Sequence, residues 1–353
     1  MTGSRRDETV VPLGTSVEHR GKGIIRGHPF RLWKKVGERH SSAVPLGTSA
    51  ERRGHGIHLC HQRHLRIKAF AFVLLCGSIL PSAAHVPAET DSINTGRAWL
   101  VAGGTAVFAT GSLIALNEAW YKDSERTAFH FFNDGDEWYQ VDKLGHAFST
   151  YQLGRTGRAA FRWAGFSEGA STWLGGSVGL IYLTGIEYLD GHSAAYGFSG
   201  WDMVANTAGT ALFIGQQLAW HDQRMLLKWS SHLTDFAAQR PDVLGSTTAE
   251  RLLKDYNGTT IWLSANPHAF GWKAMPVWLN FSAGMGAEGM IYATDNPGSY
   301  RQFYLAPDIA FSRIHTRSKL LKTVFFMLDA LKMPAPTLEF RSNGGVRGHW
   351  LYF

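Results

Sequence analysis

Cysteine is almost missing from this sequence of 353 residues. Only Cys60 and Cys76 occur, both ahead of residue 85. From His85 onward, disulfides, thiol catalysis and cysteine-ligated metals are therefore excluded. Several catalytic signatures are missing too. No His-Glu-x-x-His spacing offers a zinc site, and no Gly-x-Ser-x-Gly elbow offers a serine nucleophile. Gly103-Gly104 and Gly175-Gly176 lack the lysine and strand context of a phosphate loop. Asp134-Gly135-Asp136 lacks the rest of a calcium loop. His130, Asp134, Asp136 and His146 are metal-ligand types, but without such a spacing neither a metal nor a cofactor is expected.

What the chain does have in excess is positive charge, a net +7, which on its face suggests nucleic acid or anionic lipid as partner. Its distribution argues otherwise. Residues 1–84 hold 14 Lys and Arg against 5 Asp and Glu, whereas residues 85–353 hold 21 against 23. The basicity belongs to the leader, and no nucleic-acid partner is expected for the rest.

The leader divides in two. Residues 63–84 read as a signal peptide. Arg63, Arg66 and Lys68 precede an apolar run from Ala69 to Leu80, too short to span a bilayer comfortably, and Pro81-Ser82-Ala83-Ala84 supplies small residues for cleavage. Residues 1–62 are rich in Gly, Arg and His and have no apolar period. Val11-Pro12-Leu13-Gly14-Thr15-Ser16 returns as Val44-Pro45-Leu46-Gly47-Thr48-Ser49, but two copies do not make a solenoid. This stretch reads as a non-native or disordered leader. Cys76 stands where a lipoprotein cysteine could, yet the bulky Leu75 directly before it does not suit a lipobox. The chain is expected to be exported, to the periplasm or the membrane of a bacterial cell envelope.

Beyond the leader, the pattern predicts an α+β protein. A helical bundle with a polar site, either membrane-associated or soluble, is expected over 85–240, and a smaller β-rich region with one helix over 241–353. Trp99 to Leu116 is uncharged and fits either a transmembrane helix or a packed soluble one. Helices are expected near 139–163, 168–190 and 200–231, after a polar-aromatic loop containing Asn133-Asp134-Gly135-Asp136. About five strands follow, with a helix near 317–332 between them. The aromatic end His349-Trp350-Leu351-Tyr352-Phe353 is typical of outer-membrane barrels, but so few strands favour a soluble edge strand.

One polar constellation stands out. Asp142 and His146 are four residues apart, Lys143 and His146 three, so all can share a helix face. Glu187 ends the next apolar run, and Asp202 and Asn206 share a face at the start of the third. With sequential antiparallel packing, these helix ends meet at a common cavity. A structural reading competes: Asp142 as an early-turn acid, Lys143 and Glu187 as one ion pair, Asn206 as a bridge between helices.

These residues carry a resemblance. Asp142-Lys143-Leu144-Gly145-His146, then Glu187, then Gly197-Phe198-Ser199-Gly200-Trp201-Asp202-Met203-Val204-Ala205-Asn206-Thr207-Ala208-Gly209 resemble the YfiM-like family of predicted periplasmic lipoproteins, domain of unknown function 2279. The skeleton is also distantly similar to VanZ-like membrane proteins. Neither family has an established activity. The resemblance implies that Asp142, Lys143, His146, Glu187, Asp202 and Asn206 form the family's site. The expected function is binding of a membrane or envelope lipid, or of a cell-wall component, by its headgroup. The alternatives are a hydrolase or transferase using the same cluster, and a structural protein in which the cluster only joins helices. With no dedicated nucleophile in view, the enzyme reading ranks below binding.

Overall fold

The structure, a computed structural model, describes residues 92–117, 121 and 124–352. The expected leader (1–62), the expected signal peptide (63–84) and both cysteines lie outside the described residues.

Helix α1, Thr95–Leu116, starts where the Asn94 side chain accepts a hydrogen bond from Arg97 N at 2.9 Å. Four further helices follow: α2 (Val141–Trp163), α3 (Glu168–Gly176), α4 (Val178–Gly191) and α5 (Gly200–Trp220). The stretch expected as one helix over 168–190 is broken at Ser177, which caps the end of α3 and precedes α4. Helix α2 packs on α3, α4 and α5. Close approach is possible because glycines stand at the crossings, with Gly157 against the backbone of Gly175 and Gly209 against that of Ala147.

Two short strands, β1 (Phe131–Phe132) and β2 (Phe198–Ser199), pair in parallel, Phe131 with Phe198 and Phe132 with Ser199. This pairing ties the 130s loop to the start of α5. Three successive residues before α2, Trp138, Tyr139 and Gln140, have φ of 49°, 51° and 62°. Non-glycine residues there are strained by roughly 1–3 kcal/mol each. Tertiary contacts hold the turn: Trp138 is buried and donates its N–H to Ala293 O at 2.8 Å, and Gln140 Nε2 donates to Gly135 O at 2.6 Å.

The third expected helix, 200–231, ends at Trp220. Residues Met225–Ser231 are instead a strand, β3. The chain reverses at His221, whose φ of 51° makes the left-handed turn that closes α5. Beyond β3 come the short helices α6 (Pro241–Leu244) and α7 (Thr248–Lys254). Then follow β4 (Thr259–Ala265), β5 (Leu279–Glu288), β6 (Tyr300–Ile309), helix α8 (Lys319–Leu328), β7 (Ala335–Arg341) and β8 (Val346–Tyr352). Six strands, not five, form one antiparallel meander in sequence order. The free edge of β3 is partly covered: Trp229 N donates to Ala330 O at 3.0 Å, and Lys332 N to Trp229 O at 2.9 Å.

Fold class is thus α+β. Leu116, Phe148, Leu183 and Ile186 of the helices form one core with Ile261 of β4. A second core joins Trp138 and Val141 to Leu244, Tyr256 and Met290.

Candidate functional site

Asp142, Lys143 and His146 lie in the first turns of α2, and Asp202 and Asn206 in the first turns of α5. Glu187 lies in the last turn of α4. All are buried except Lys143, whose side chain retains 11% exposure.

The Lys143 ammonium is the centre of the arrangement. It donates to Asp134 Oδ2, to Asp202 Oδ1 and, at 3.0 Å, to Asp142 Oδ2. His146 Nδ1 and Asn206 Oδ1 are hydrogen-bonded at 3.1 Å, and His146 Nε2 is 3.8 Å from Asp202 Oδ2. Glu187 is tied in through Ser199, whose backbone N–H donates to Glu187 Oε2 at 3.1 Å. The Ser199 hydroxyl donates to Asp134 Oδ1 at 2.6 Å and accepts from Asp202 N at 3.0 Å, so it caps α5 and bridges two acids at once. Tyr256 OH donates to Asp142 Oδ1 at 2.6 Å.

All six residues singled out in the sequence are therefore parts of one network. Three members were missed: Asp134, Ser199 and Tyr256. The metal-ligand types Asp134 and Asp136 diverge, because Asp134 is buried and Asp136 exposed. The β1–β2 pairing sends Asp134 inward. His130 also stands apart, with Nε2 2.7 Å from Tyr196 O. Tyr256 lies 114 residues from its partner Asp142, so their contact is not legible from spacing. Its ring packs on Trp138, centroids 5.2 Å apart, which aims the hydroxyl at the cluster.

The charge balance is uneven. Three buried acids, Asp134, Asp142 and Asp202, converge on one lysine, and a fourth, Glu187, is tied in through Ser199. Carboxylates that converge in this way offer acceptors to a cation, whether a metal or an ammonium. Asp142, His146 and Asp202 each offer a ligand atom, all within 4.8 Å of one another, and could hold a metal ion. Such an ion would share both carboxylates with the Lys143 ammonium. Asn206 Nδ2 is buried and has no hydrogen-bond partner among the described residues. It is a donor without an acceptor at the edge of the cluster.

A separate cavity of about 230 Å³ lies at the end of α4, lined by Tyr121, Arg126, Tyr188 and His192 among others. Asp190 accepts from Tyr121 OH at 2.5 Å beside it.

Residues 130–215 match the family described as a predicted periplasmic lipoprotein, a domain of unknown function (DUF2279). That span carries the β1–β2 pair, α2 to α4, most of α5 and every cluster residue except Tyr256. The match bears out the YfiM-like resemblance and the expected place of the protein in the periplasm or envelope. It lends nothing to the VanZ-like similarity. No curated protein and no solved structure matches the chain.

Proposed function

We propose that this exported envelope protein binds the headgroup of an envelope lipid or cell-wall component at the Asp134–Asp142–Lys143–Asp202 cluster. The carrying observation is the convergence of three buried carboxylates, Asp134, Asp142 and Asp202, on one ammonium. This convergence sets the chemistry of the site. Lys143 is not a free receptor for phosphate, because carboxylates from three segments already surround it. The group that suits the cluster is an amine, which takes the same charge-assisted hydrogen bonds as the lysine ammonium. The Asn206 amide and His146 orient the neighbouring oxygen of a zwitterionic headgroup. Helices α1 to α5 are read as a membrane-associated bundle around the site. Helix α1, with 22 residues, is about 33 Å long and apolar enough to cross a bilayer.

Native mass spectrometry of the protein with phosphatidylethanolamine and with phosphatidylglycerol tests the reading. Preferential retention of phosphatidylethanolamine, lost in Asp202→Asn and in Asn206→Leu, is the expected result. Equal retention of both lipids by wild type and variants would sink it.

A structural reading has its own support, since Lys143, Ser199 and Tyr256 join carboxylates on different elements. It expects Asp202→Asn to lower the melting temperature by on the order of 10 °C while lipid retention is unchanged.

A further inference from the structure

The sheet is built inside out. In a water-soluble sheet the apolar face turns to the core and the polar face to solvent. Here β5, β6 and β7 alternate in the opposite sense. Asn280, Ser282, Gln302, Asp308, Thr337 and Glu339 are buried. Phe281, Phe303, Leu305, Leu338 and Phe340, between them on the same strands, are each 38–52% exposed. The register places them side by side: Phe303 faces Phe340, Leu305 faces Leu338, and Ala283 faces Leu305. Trp350 of β8, 90% exposed, extends the same wall.

The inward polar groups are organised, so the inversion is not an accident of packing. Lys228 of β3 reaches across the concave side to Asp308 of β6, Nζ to Oδ2 2.8 Å, both fully buried. Ser264 donates to the same carboxylate at 2.6 Å. Glu339 is held by Arg341, His349 and Gln302 at 2.6, 2.6 and 2.9 Å. Ion pairs and the Trp262–Tyr304–Ala306 cluster line the concave side, and phenylalanines and leucines the convex side, which is the polarity of a wall with lipid outside.

Three further observations point to a bilayer rather than a protein partner. Strands β5 and β6 have 10 residues each, within the 9–11 that a tilted strand needs to cross a bilayer. Exposed Trp272 and Trp278 precede β5 at one end of this wall, and Tyr292 follows β5 at the other, where interfacial aromatics belong. The apolar exposure also continues beyond the sheet. Val107, Ile181 and Val204 on α1, α4 and α5 are 75%, 70% and 59% exposed. A docking partner covers one patch, whereas a bilayer surrounds the molecule.

We infer that the convex wall of the β5–β6–β7 sheet faces the hydrocarbon of a lipid bilayer. This inference uses none of the cluster residues and stands apart from the headgroup reading. The C-terminal strand β8 is the edge strand expected from the sequence; the inference sets its exposed Trp350 in lipid rather than in water.

The test is a fluorescence measurement on the full chain. With Cys60→Ser and Cys76→Ser, no native thiol remains. Phe281→Cys, Leu305→Cys and Leu338→Cys then each carry an environment-sensitive nitrobenzoxadiazole label. Because these side chains already project outward, the substitutions leave the interior intact. Asp295→Cys, in an exposed turn, is the control. In vesicles of phosphatidylethanolamine and phosphatidylglycerol, the three wall positions are expected to shift to the blue. Acyl-chain doxyl groups should quench them and aqueous iodide should not, while position 295 does the reverse. Iodide quenching at all four positions in vesicle-bound protein would overturn the inference. So would a blue shift that appears equally without lipid together with a dimeric sedimentation mass, because the occupant would then be a second copy of the chain.

Discussion

Gly209 of α5 lies directly against the carbonyl of Ala147 in α2: a Cβ on this glycine would meet that oxygen at 2.0 Å and Thr150 Oγ1 at 2.3 Å. The contact is backbone to backbone, so no side-chain rotation relieves it. It sets the spacing of the two helices that carry Lys143, His146, Asp202 and Asn206.

Gly209→Ala is therefore expected to push α5 away from α2. Overpacking typically costs 1–3 kcal/mol, and a clash with main chain places this variant at about 3 kcal/mol or more. The melting temperature should fall by about 6–12 °C, and ligand retention by the cluster should fall with it. A thermal melt equal to that of wild type would mean that the helices do not approach as described.

Tyr256→Phe removes one hydroxyl and nothing else from the site. Asp142 Oδ1 then loses a buried donor at 2.6 Å. A hydrogen bond to a charged group is worth about 1.5–3 kcal/mol, so a drop of roughly 5 °C is expected with helix content unchanged by circular dichroism.

His221→Gly acts in the opposite direction. His221 is exposed, has φ of 51°, and closes α5 with its backbone N–H on Gln217 O at 3.0 Å. Glycine keeps that bond and removes the left-handed strain, so a gain of about 0.5–1 kcal/mol is expected in chemical denaturation. A loss of stability would show that the imidazole makes a contact of its own.

Glu250 gives a pH dependence. Hydrogen bonds from the Ser246 side chain and backbone, then from Lys254 and Thr247, hold its carboxyl well below the usual 4.5, at about 2. A depressed folded-state pKa contributes stability above the unfolded value, and that contribution fades as pH falls from 4.5 toward 2. The protection factors of the α7 amides, corrected for the intrinsic slowing of exchange at low pH, should fall through this window in wild type. Glu250→Gln, which cannot titrate, should flatten the profile.

Much of the helical half is legible from local pattern. Asp142, Lys143 and His146 announce themselves by spacing on one helix, as do Asp202 and Asn206, because an α-helix repeats every 3.6 residues. Glu187 could be placed because it ends an apolar run. Asp134 and Tyr256 could not, since a loop acid and a distant tyrosine reach the cluster only through the β1–β2 pairing and the Trp138 contact. Strand β3 was hidden for a different reason. Met225–Ser231 follows α5 closely, and only the left-handed residue His221 marks the break, a conformation that histidine does not advertise.

On its own, the sequence determined export, the near-neutral charge of everything after the leader, the α+β class and the polar skeleton of the helices. Each depends on composition or on neighbours within a turn or two. Tertiary structure alone decided how the charges of the cluster balance and which way the sheet faces. Period-two alternation is the same whether its apolar side turns inward or outward. What fixes the direction is the curvature that brings Lys228 to Asp308, and that contact joins residues 80 positions apart.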